Sequence, residues 1–125
     1  MRPDKCVLIV EDYPLNMKLF AAMLAAQDYH ILQATDGPRG MELVRLRHPD
    51  LILMDVQLPG MSGIDISRNL KADDTTRDIP IIVTTAFSLS DEELAASGCD
   101  GFLAKPISIP KLLNLVAILM EPRSA

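Results

Sequence analysis

Residues 51–63 read LILMDVQLPGMSG, a run of apolar residues that leads directly into a carboxylate and a turn signal. Leu51 to Met54 are consecutive apolar residues, the pattern of a short strand buried on both faces. Asp55 follows directly, and a Leu-Pro-Gly turn signal comes soon after it. A carboxylate at the end of a buried strand is costly unless a partner or a cation offsets its charge. The position of Asp55 therefore needs an explanation.

On both sides of this stretch, short apolar runs alternate with segments of helical periodicity. The predicted strands cover residues 6–10, 30–34, 50–55, 79–84 and 101–104. The predicted helices cover residues 15–27, 36–48, a segment that begins after Ser62, a segment from Ser90 to Gly98, and residues 108–120. Strict alternation of apolar strands with helices predicts an α/β fold, in which helices cover both faces of a parallel sheet.

Two of these helices carry N-terminal signals of the capping-box type. Ser62 is followed by Asp65 at the third helical position, and Ser90 is followed by Glu93. In a capping box, the two side chains each accept a backbone N–H of the first turn. We therefore expect a capping box at both positions, and we expect Gly98 to end the second of these helices.

The composition narrows the class of protein. A chain of 125 residues with 49% hydrophobic residues is one globular domain. A net charge of −5 argues against nucleic acid and against an anionic membrane as the main partner, because both attract clustered Lys and Arg. No apolar run approaches the roughly 20 residues of a membrane span, and the apolar start is too short for a signal peptide. We expect a cytoplasmic protein in which Cys6 and Cys99 are two buried thiols.

Polar residues follow the predicted strands at their carboxyl ends. They are Glu11 and Asp12, Asp55, Thr84 and Thr85, and Lys105. Because open parallel sheets bind ligands beyond these ends, the side chains are expected to converge on one edge. Clustered carboxylates repel one another unless a cation lies among them, and hard oxygen ligands suit Mg²⁺. A carboxylate beside such a cation can attack a phosphoryl group, which gives Asp55 a chemical role.

The motifs at these positions resemble the receiver domain of two-component response regulators. The matching pieces are VLIVED at 7–12, LILMDVQLPGMSG at 51–63, the pair Thr85-Ala86, and the pair Lys105-Pro106. The resemblance implies a flavodoxin-like, doubly wound sheet of five parallel strands in the order 2-1-3-4-5, with five helices. It also implies a single receiver domain over residues 1–125, with its core at 5–120 and no output domain.

The resemblance assigns the phosphorylation chemistry to particular residues. Asp55 corresponds to the aspartate that accepts a phosphoryl group from a histidine kinase or a histidine phosphotransfer protein. Glu11, Asp12 and Asp55, with the backbone carbonyl of Gln57, correspond to the Mg²⁺ site. Lys105 corresponds to the lysine that contacts a phosphoryl oxygen. The protein is thus expected to be a phosphoacceptor that assists its own phosphorylation and dephosphorylation, and not a classical enzyme.

The same resemblance assigns a switch. Thr85 corresponds to the hydroxyl that follows the phosphoryl group, and Phe102 to the switch aromatic residue, which here lacks a hydroxyl. The Lys105-Pro106 bond is expected to be cis. The segment from Thr85 to Lys105 is shorter than usual in the family, so its helix is expected to be short or displaced. In the family, the common dimer surface is built from the fourth helix, the fifth strand and the fifth helix. Because a short or displaced fourth helix changes this surface, we expect a monomer or a weak dimer.

The first helix is the expected docking surface for the kinase or phosphotransfer protein. Its densest apolar set, Leu19, Phe20, Met23 and Leu24, is taken as the core-facing side. The predicted partner face on the other side comprises Leu15, Met17, Lys18 and Ala22. A downstream protein target is expected as well, since no output domain is expected in the chain.

Three other readings use parts of the same pattern. A haloacid-dehalogenase-type phosphatase needs a second aspartate two residues after Asp55, where this chain has Gln57. A flavodoxin-like cofactor binder needs a phosphate loop after the first strand, where Glu11 and Asp12 would repel phosphate. A pseudo-receiver, a protein-binding module that is never phosphorylated, usually lacks one of the five site residues, and in this chain all five are present. It remains the alternative to a phosphoacceptor.

Overall fold

The computed structural model describes residues 5–121 and has one five-stranded parallel sheet. Its strands are β1 (Cys6–Val10), β2 (His30–Ala34), β3 (Leu51–Asp55), β6 (Ile81–Thr85) and β7 (Gly101–Ala104), and a separate two-residue hairpin is formed by β4 (Gln57–Leu58) and β5 (Met61–Ser62). The helices are α1 (Pro14–Ala25), α2 (Gly37–Arg47), α3 (Gly63–Ala72), α4 (Asp91–Ser97) and α5 (Ile109–Met120). The strand order is β2-β1-β3-β6-β7, which confirms the predicted order 2-1-3-4-5.

The two faces of the sheet have separate apolar cores because strand side chains alternate between faces. Leu8 and Val10 of β1 pack into one core, which α2 and α3 cover with residues such as Val44 and Ile66. Val7 and Ile9 point to the opposite core, which is covered by α1 and α5. Each fully buried large aliphatic side chain contributes about 1.5–3 kcal/mol, so these two cores hold the sheet between the helix layers.

The short helix α4 is attached to α3. It has only seven residues, which confirms the prediction of a short fourth helix. The Ser67 hydroxyl on α3 donates to the carbonyl of Ser97 at 2.8 Å, and both side chains are fully buried. Gly98 ends the helix in the left-handed region with φ of 67°, as predicted. The loop of residues 86–90 between β6 and α4 is consequently anchored by strand and helix at its two ends.

The two predicted capping boxes have different outcomes. At Ser90, the side chains of Ser90 and Glu93 each accept a backbone N–H of the first turn, so this capping box is confirmed. At Ser62, the hydroxyl accepts from the N–H of Ile64, while the Asp65 carboxylate pairs with Arg68 at 2.8 Å. The capping box predicted at Ser62 is wrong, because the Asp65 carboxylate binds the Arg68 guanidinium one turn ahead instead of accepting the backbone N–H of Ser62.

The amphipathic phase of α1 differs from the prediction in two places. Its buried residues are Met17, Phe20 and Leu24, whereas Leu19 is 42% exposed. These three buried residues have the spacing i, i+3, i+7 from Met17, so they lie on one side of the helix, and this side packs on the sheet. Met17 therefore belongs to the core and not to the accessible partner face, and Leu19 belongs to the surface. Within residues 5–121, no helix combines the length and the apolarity that a membrane crossing requires.

Candidate phosphorylation and metal site

The ends of four strands bring the predicted site residues to the carboxyl edge of the sheet. Glu11 follows β1, Asp55 is the last residue of β3, Thr85 is the last residue of β6, and Lys105 follows β7. The parallel register pairs Asp55 with Thr84 and Thr85 with Ala104, so these ends are level with one another. Thr85 lies within its strand, one residue beyond the predicted end at residue 84.

The carboxylates of Glu11, Asp12 and Asp55 form one cluster. Each offers an oxygen, and these oxygens lie within 4.8 Å of one another. Glu11 and Asp55 are almost fully buried, at 1% and 2% exposure, whereas Asp12 is exposed. At an effective dielectric of about 20, each such pair of charges repels by roughly 3–4 kcal/mol. The cluster therefore has the donor atoms and the charge excess that suit a hard divalent cation.

Lys105 is the cation that contacts this cluster. Its Nζ donates to Glu11 Oε1 at 3.0 Å and to Asp55 Oδ2 at 3.1 Å. Burial alone would lower the pKa of Lys105, but the hydrogen bonds to Glu11 and Asp55 outweigh it and raise the pKa. Lys105 is thus charged at neutral pH and offsets one of the three negative charges.

The pKa of Asp55 is raised, because the carboxylate is buried and lies beside a second carboxylate. Burial, followed by repulsion from Glu11, raises the pKa of Asp55 to about 6. The N–H of Gln57, 3.2 Å from Asp55 Oδ1, and the Lys105 ammonium act in the opposite direction without offsetting it. A carboxylate that is buried beside a second carboxylate is costly to ionise without a further cation.

Backbone contacts fix the two buried carboxylates. Glu11 Oε2 accepts the N–H of Tyr13 at 3.0 Å, and its own N–H donates to the carbonyl of Ala34. Gln57 begins the β4–β5 hairpin, which was not predicted from the sequence. Gly63 completes the motif: a Cβ there would lie 2.1 Å from the carbonyl oxygen of Asp55, so only glycine allows this close approach. The second glycine of PGMSG is thus required because the backbone of Asp55 packs directly against it.

The predicted switch residues lie on the neighbouring strands. Thr85 is fully buried, and its Oγ1 accepts the N–H of Phe87 at 3.0 Å. This contact with Phe87 was not predicted. Phe102 is half-buried in β7, in register with Val83 of β6. The Lys105-Pro106 peptide bond is cis, as the resemblance implied.

The remaining members of the predicted partner face are accessible. Leu15 is 66% exposed, and Lys18 and Ala22 are exposed on the same helix. With Leu19, they give α1 an outer surface on which Lys18 is the charged member. A groove beside it is lined by Asn16, Leu19, Phe20, Ala86, Lys105, Pro106 and Ile107, so α1 borders the cluster through the loop after β7.

Comparisons with known proteins agree with this geometry. Residues 7–117 match the family model of the response regulator receiver domain. The chain is 42% identical over 114 residues to the polar-differentiation response regulator DivK of Brucella ovis, a match that covers 90% of this chain and 93% of DivK.

Solved receiver domains have the same fold. One belongs to a signal transduction histidine kinase from Syntrophus aciditrophicus, with 29% identity, a TM-score of 0.85, and coverage of 97% of this chain and 96% of that one. Another belongs to a sensor histidine kinase from Pseudomonas aeruginosa PAO1, with 29% identity, a TM-score of 0.84, and coverage of 94% and 98%. The latter structure has a magnesium ion coordinated in its active site cleft.

Proposed function

We propose a function that proceeds from one fact: the chain belongs to the response regulator receiver domain family. The proposal is that Asp55 accepts a phosphoryl group from a histidine kinase or a histidine phosphotransfer protein, with Mg²⁺ as cofactor. The observation that carries it is the buried Asp55 carboxylate, which touches the Lys105 ammonium and shares a cluster with Glu11 and Asp12. The magnesium in the Pseudomonas aeruginosa receiver domain supports the choice of metal.

The chemistry of the step follows from the residues of the cluster. An Asp55 oxygen attacks phosphorus, the bond from phosphorus to the donor breaks, and an acyl phosphate forms. Glu11, Asp12 and Asp55, with the Gln57 carbonyl, would hold Mg²⁺, which when bound screens the repulsion between the anionic nucleophile and the phosphoryl group. The Lys105 ammonium, which contacts Glu11 and Asp55, would then also contact a phosphoryl oxygen and stabilise the charge that develops there.

The proposed switch uses Thr85 and Phe102. Once the phosphoryl group is present, the Thr85 hydroxyl turns towards a phosphoryl oxygen, and the Phe102 ring follows into the space beside β6. Phe102 has no hydroxyl, so burial of its ring drives the motion. The change alters the surface around the 86–90 loop and so alters contacts with a downstream protein target.

The proposed setting is a stand-alone receiver in the cytoplasm. On this proposal the protein is a phosphoacceptor and not a classical enzyme, and its signal leaves through protein contacts. Because α4 has seven residues and packs on α3, the usual dimer surface is remodelled, and the phosphorylated form is a monomer or a weak dimer. Sedimentation of the phosphorylated form tests this, and a tight dimer that depends on phosphate would refute it.

The proposed docking surface for the kinase or phosphotransfer protein is the outer side of α1. Leu15→Asp should slow phosphotransfer from the partner at least tenfold, because it places a charge in an apolar contact, while phosphorylation by a small donor stays unchanged. Leu46→Asp on α2 is the matched control, since Leu46 is 68% exposed and Leu15 is 66% exposed. Transfer rates that are equal for the two variants would show that α1 is not the docking surface.

The phosphoacceptor proposal is tested by intact-mass analysis after incubation with acetyl phosphate and Mg²⁺. We expect one added phosphoryl group on the wild type, none after chelation of the metal, and none on Asp55→Asn, because an amide is not a nucleophile here. The adduct should be lost in alkali, as an acyl phosphate is. A wild-type chain that takes up neither Mg²⁺ nor phosphate would leave a pseudo-receiver, a protein-binding module independent of phosphorylation.

A further inference from the structure

A groove on the β2 side of α1 is lined in part by two residues of the carboxylate cluster, Glu11 and Asp12. It has a volume of about 340 Å³ and is lined by Glu11, Asp12, Pro14, Met17, Lys18, Gln33 and Thr35. Pro14 and Met17 contribute apolar surface, while Gln33 and Thr35 contribute polar side chains at the carboxyl end of β2. A molecule held at Asp12 therefore has room to extend into this groove.

Among the residues that the structure describes, Lys18 is the one cation that lines the groove. Its side chain is exposed and makes no ion pair with any residue from 5 to 121. Lys105 differs, because its ammonium is already engaged by Glu11 and Asp55. Two other grooves near the cluster have Lys105 as their only charged lining residue among those described. Of these three grooves, the Lys18 groove is the one that combines carboxylates of the cluster with a positive charge that is not engaged by another described residue.

We propose that Lys18 binds the leaving group of small acyl phosphate donors, an inference that rests on the phosphoacceptor role of Asp55. As the bond from Asp55 to phosphorus forms, the bond from phosphorus to the acyl oxygen breaks. The carboxylate departs with the bonding electron pair and needs no proton. Glu11 and Asp12 repel this departing anion, and the Lys18 ammonium offsets that repulsion. Lys18 is therefore a specificity-determining residue for carboxylate leaving groups.

The inference predicts a difference between two donors. From acetyl phosphate the leaving group is an anion, whereas from phosphoramidate it is neutral ammonia, which gains nothing from a cation. Lys18→Gln should lower the rate with acetyl phosphate about two- to fivefold, the range for an exposed ion pair, and leave the phosphoramidate rate unchanged. The difference should shrink at high salt, because exposed charges are screened.

The test measures both rates by intact mass for the wild type, Lys18→Gln and the control Lys5→Gln. The control removes the same charge at the amino edge of the sheet, and both of its rates should equal those of the wild type. Equal losses with both donors in Lys18→Gln, or no loss with either, would overturn the role of Lys18 while the phosphoacceptor function stands. A wild type that accepts phosphate from neither donor would instead overturn the proposed function, and this inference with it.

Discussion

At the amino edge of the sheet, Asp50 and Asp100 each accept the first backbone N–H of a neighbouring strand, from Cys6 at 2.7 Å and from Ile81 at 2.8 Å. Asp100 also pairs with the Lys71 ammonium at 2.7 Å. At the carboxyl edge, Asp55 likewise meets a lysine and one backbone N–H. The same residue types therefore stand at both edges of one sheet.

The difference between the edges is the number of charges and their burial. The Asp50 and Asp100 carboxylates lie on separate strand ends, and Lys71 has three acceptors: Asp100 and the carbonyls of Arg77 and Ile79. At the other edge, three carboxylates lie together, and among the described residues the Lys105 ammonium contacts two of them, Glu11 and Asp55, which are almost fully buried. A carboxylate matched by donors holds the fold together, whereas an excess of buried carboxylates needs a ligand from outside the chain.

The largest expected effect comes from removing each lysine. Lys71→Met should lower the free energy of unfolding by about 3 kcal/mol, because it leaves Asp100 and two carbonyls without their partner. Magnesium should not recover this loss. Lys105→Met should be destabilised as well, but Mg²⁺ should recover much of its loss by neutralising the cluster. Urea unfolding of both variants with and without Mg²⁺ measures this, and an equal response to the metal would erase the contrast between the edges.

A smaller effect is expected for replacing an aspartate by asparagine at each edge. The pKa of Asp55 is raised to about 6 from an ordinary value near 3.8, so between these values the folded protein holds a proton that the unfolded chain has released. Stability without metal should therefore fall as the pH rises through this window, by no more than about 3 kcal/mol, since one pKa unit corresponds to about 1.4 kcal/mol.

Asp55→Asn should remove that pH dependence and make the metal-free protein more stable than the wild type above pH 6 or so. Asp100→Asn should instead make the protein less stable than the wild type at neutral pH, because it deletes the negative partner of Lys71. Thermal unfolding in chelator from pH 4 to pH 8 compares the two variants. Destabilisation by Asp55→Asn at pH 7.5 would show that the buried carboxylate is not under the repulsion described here.

The carboxyl edge was predictable from sequence because strand ends in a parallel sheet share one edge. Once the apolar runs around Leu8, Leu53 and Ile82 were identified, Glu11, Asp55 and Thr85 had to lie together. The motif in which Asp55 lies added specificity. No side-chain distance was needed for that part of the prediction.

Other features could not be predicted for equally physical reasons. The β4–β5 hairpin has two residues a strand, too few to show a period of two. In α1, apolar residues on several sides make the core-facing stripe ambiguous, and only the packing of the helix on the sheet shows that Met17 is buried and Leu19 is exposed. The contact between Phe87 N–H and the Thr85 hydroxyl depends on loop geometry that no spacing reveals.

If the charge excess at the carboxyl edge forms a metal site, calorimetry should give a Mg²⁺ binding isotherm for the folded protein. The wild type should bind one Mg²⁺, and its unfolding free energy should rise by about 2.7 kcal/mol at a hundredfold excess over the dissociation constant. Asp12→Asn should lose most of this binding, because it deletes a proposed direct ligand, while Asp50→Asn at the amino edge should keep it. Absence of binding by the wild type, or equal affinity in Asp12→Asn, would show that the carboxylate cluster is not a Mg²⁺ site.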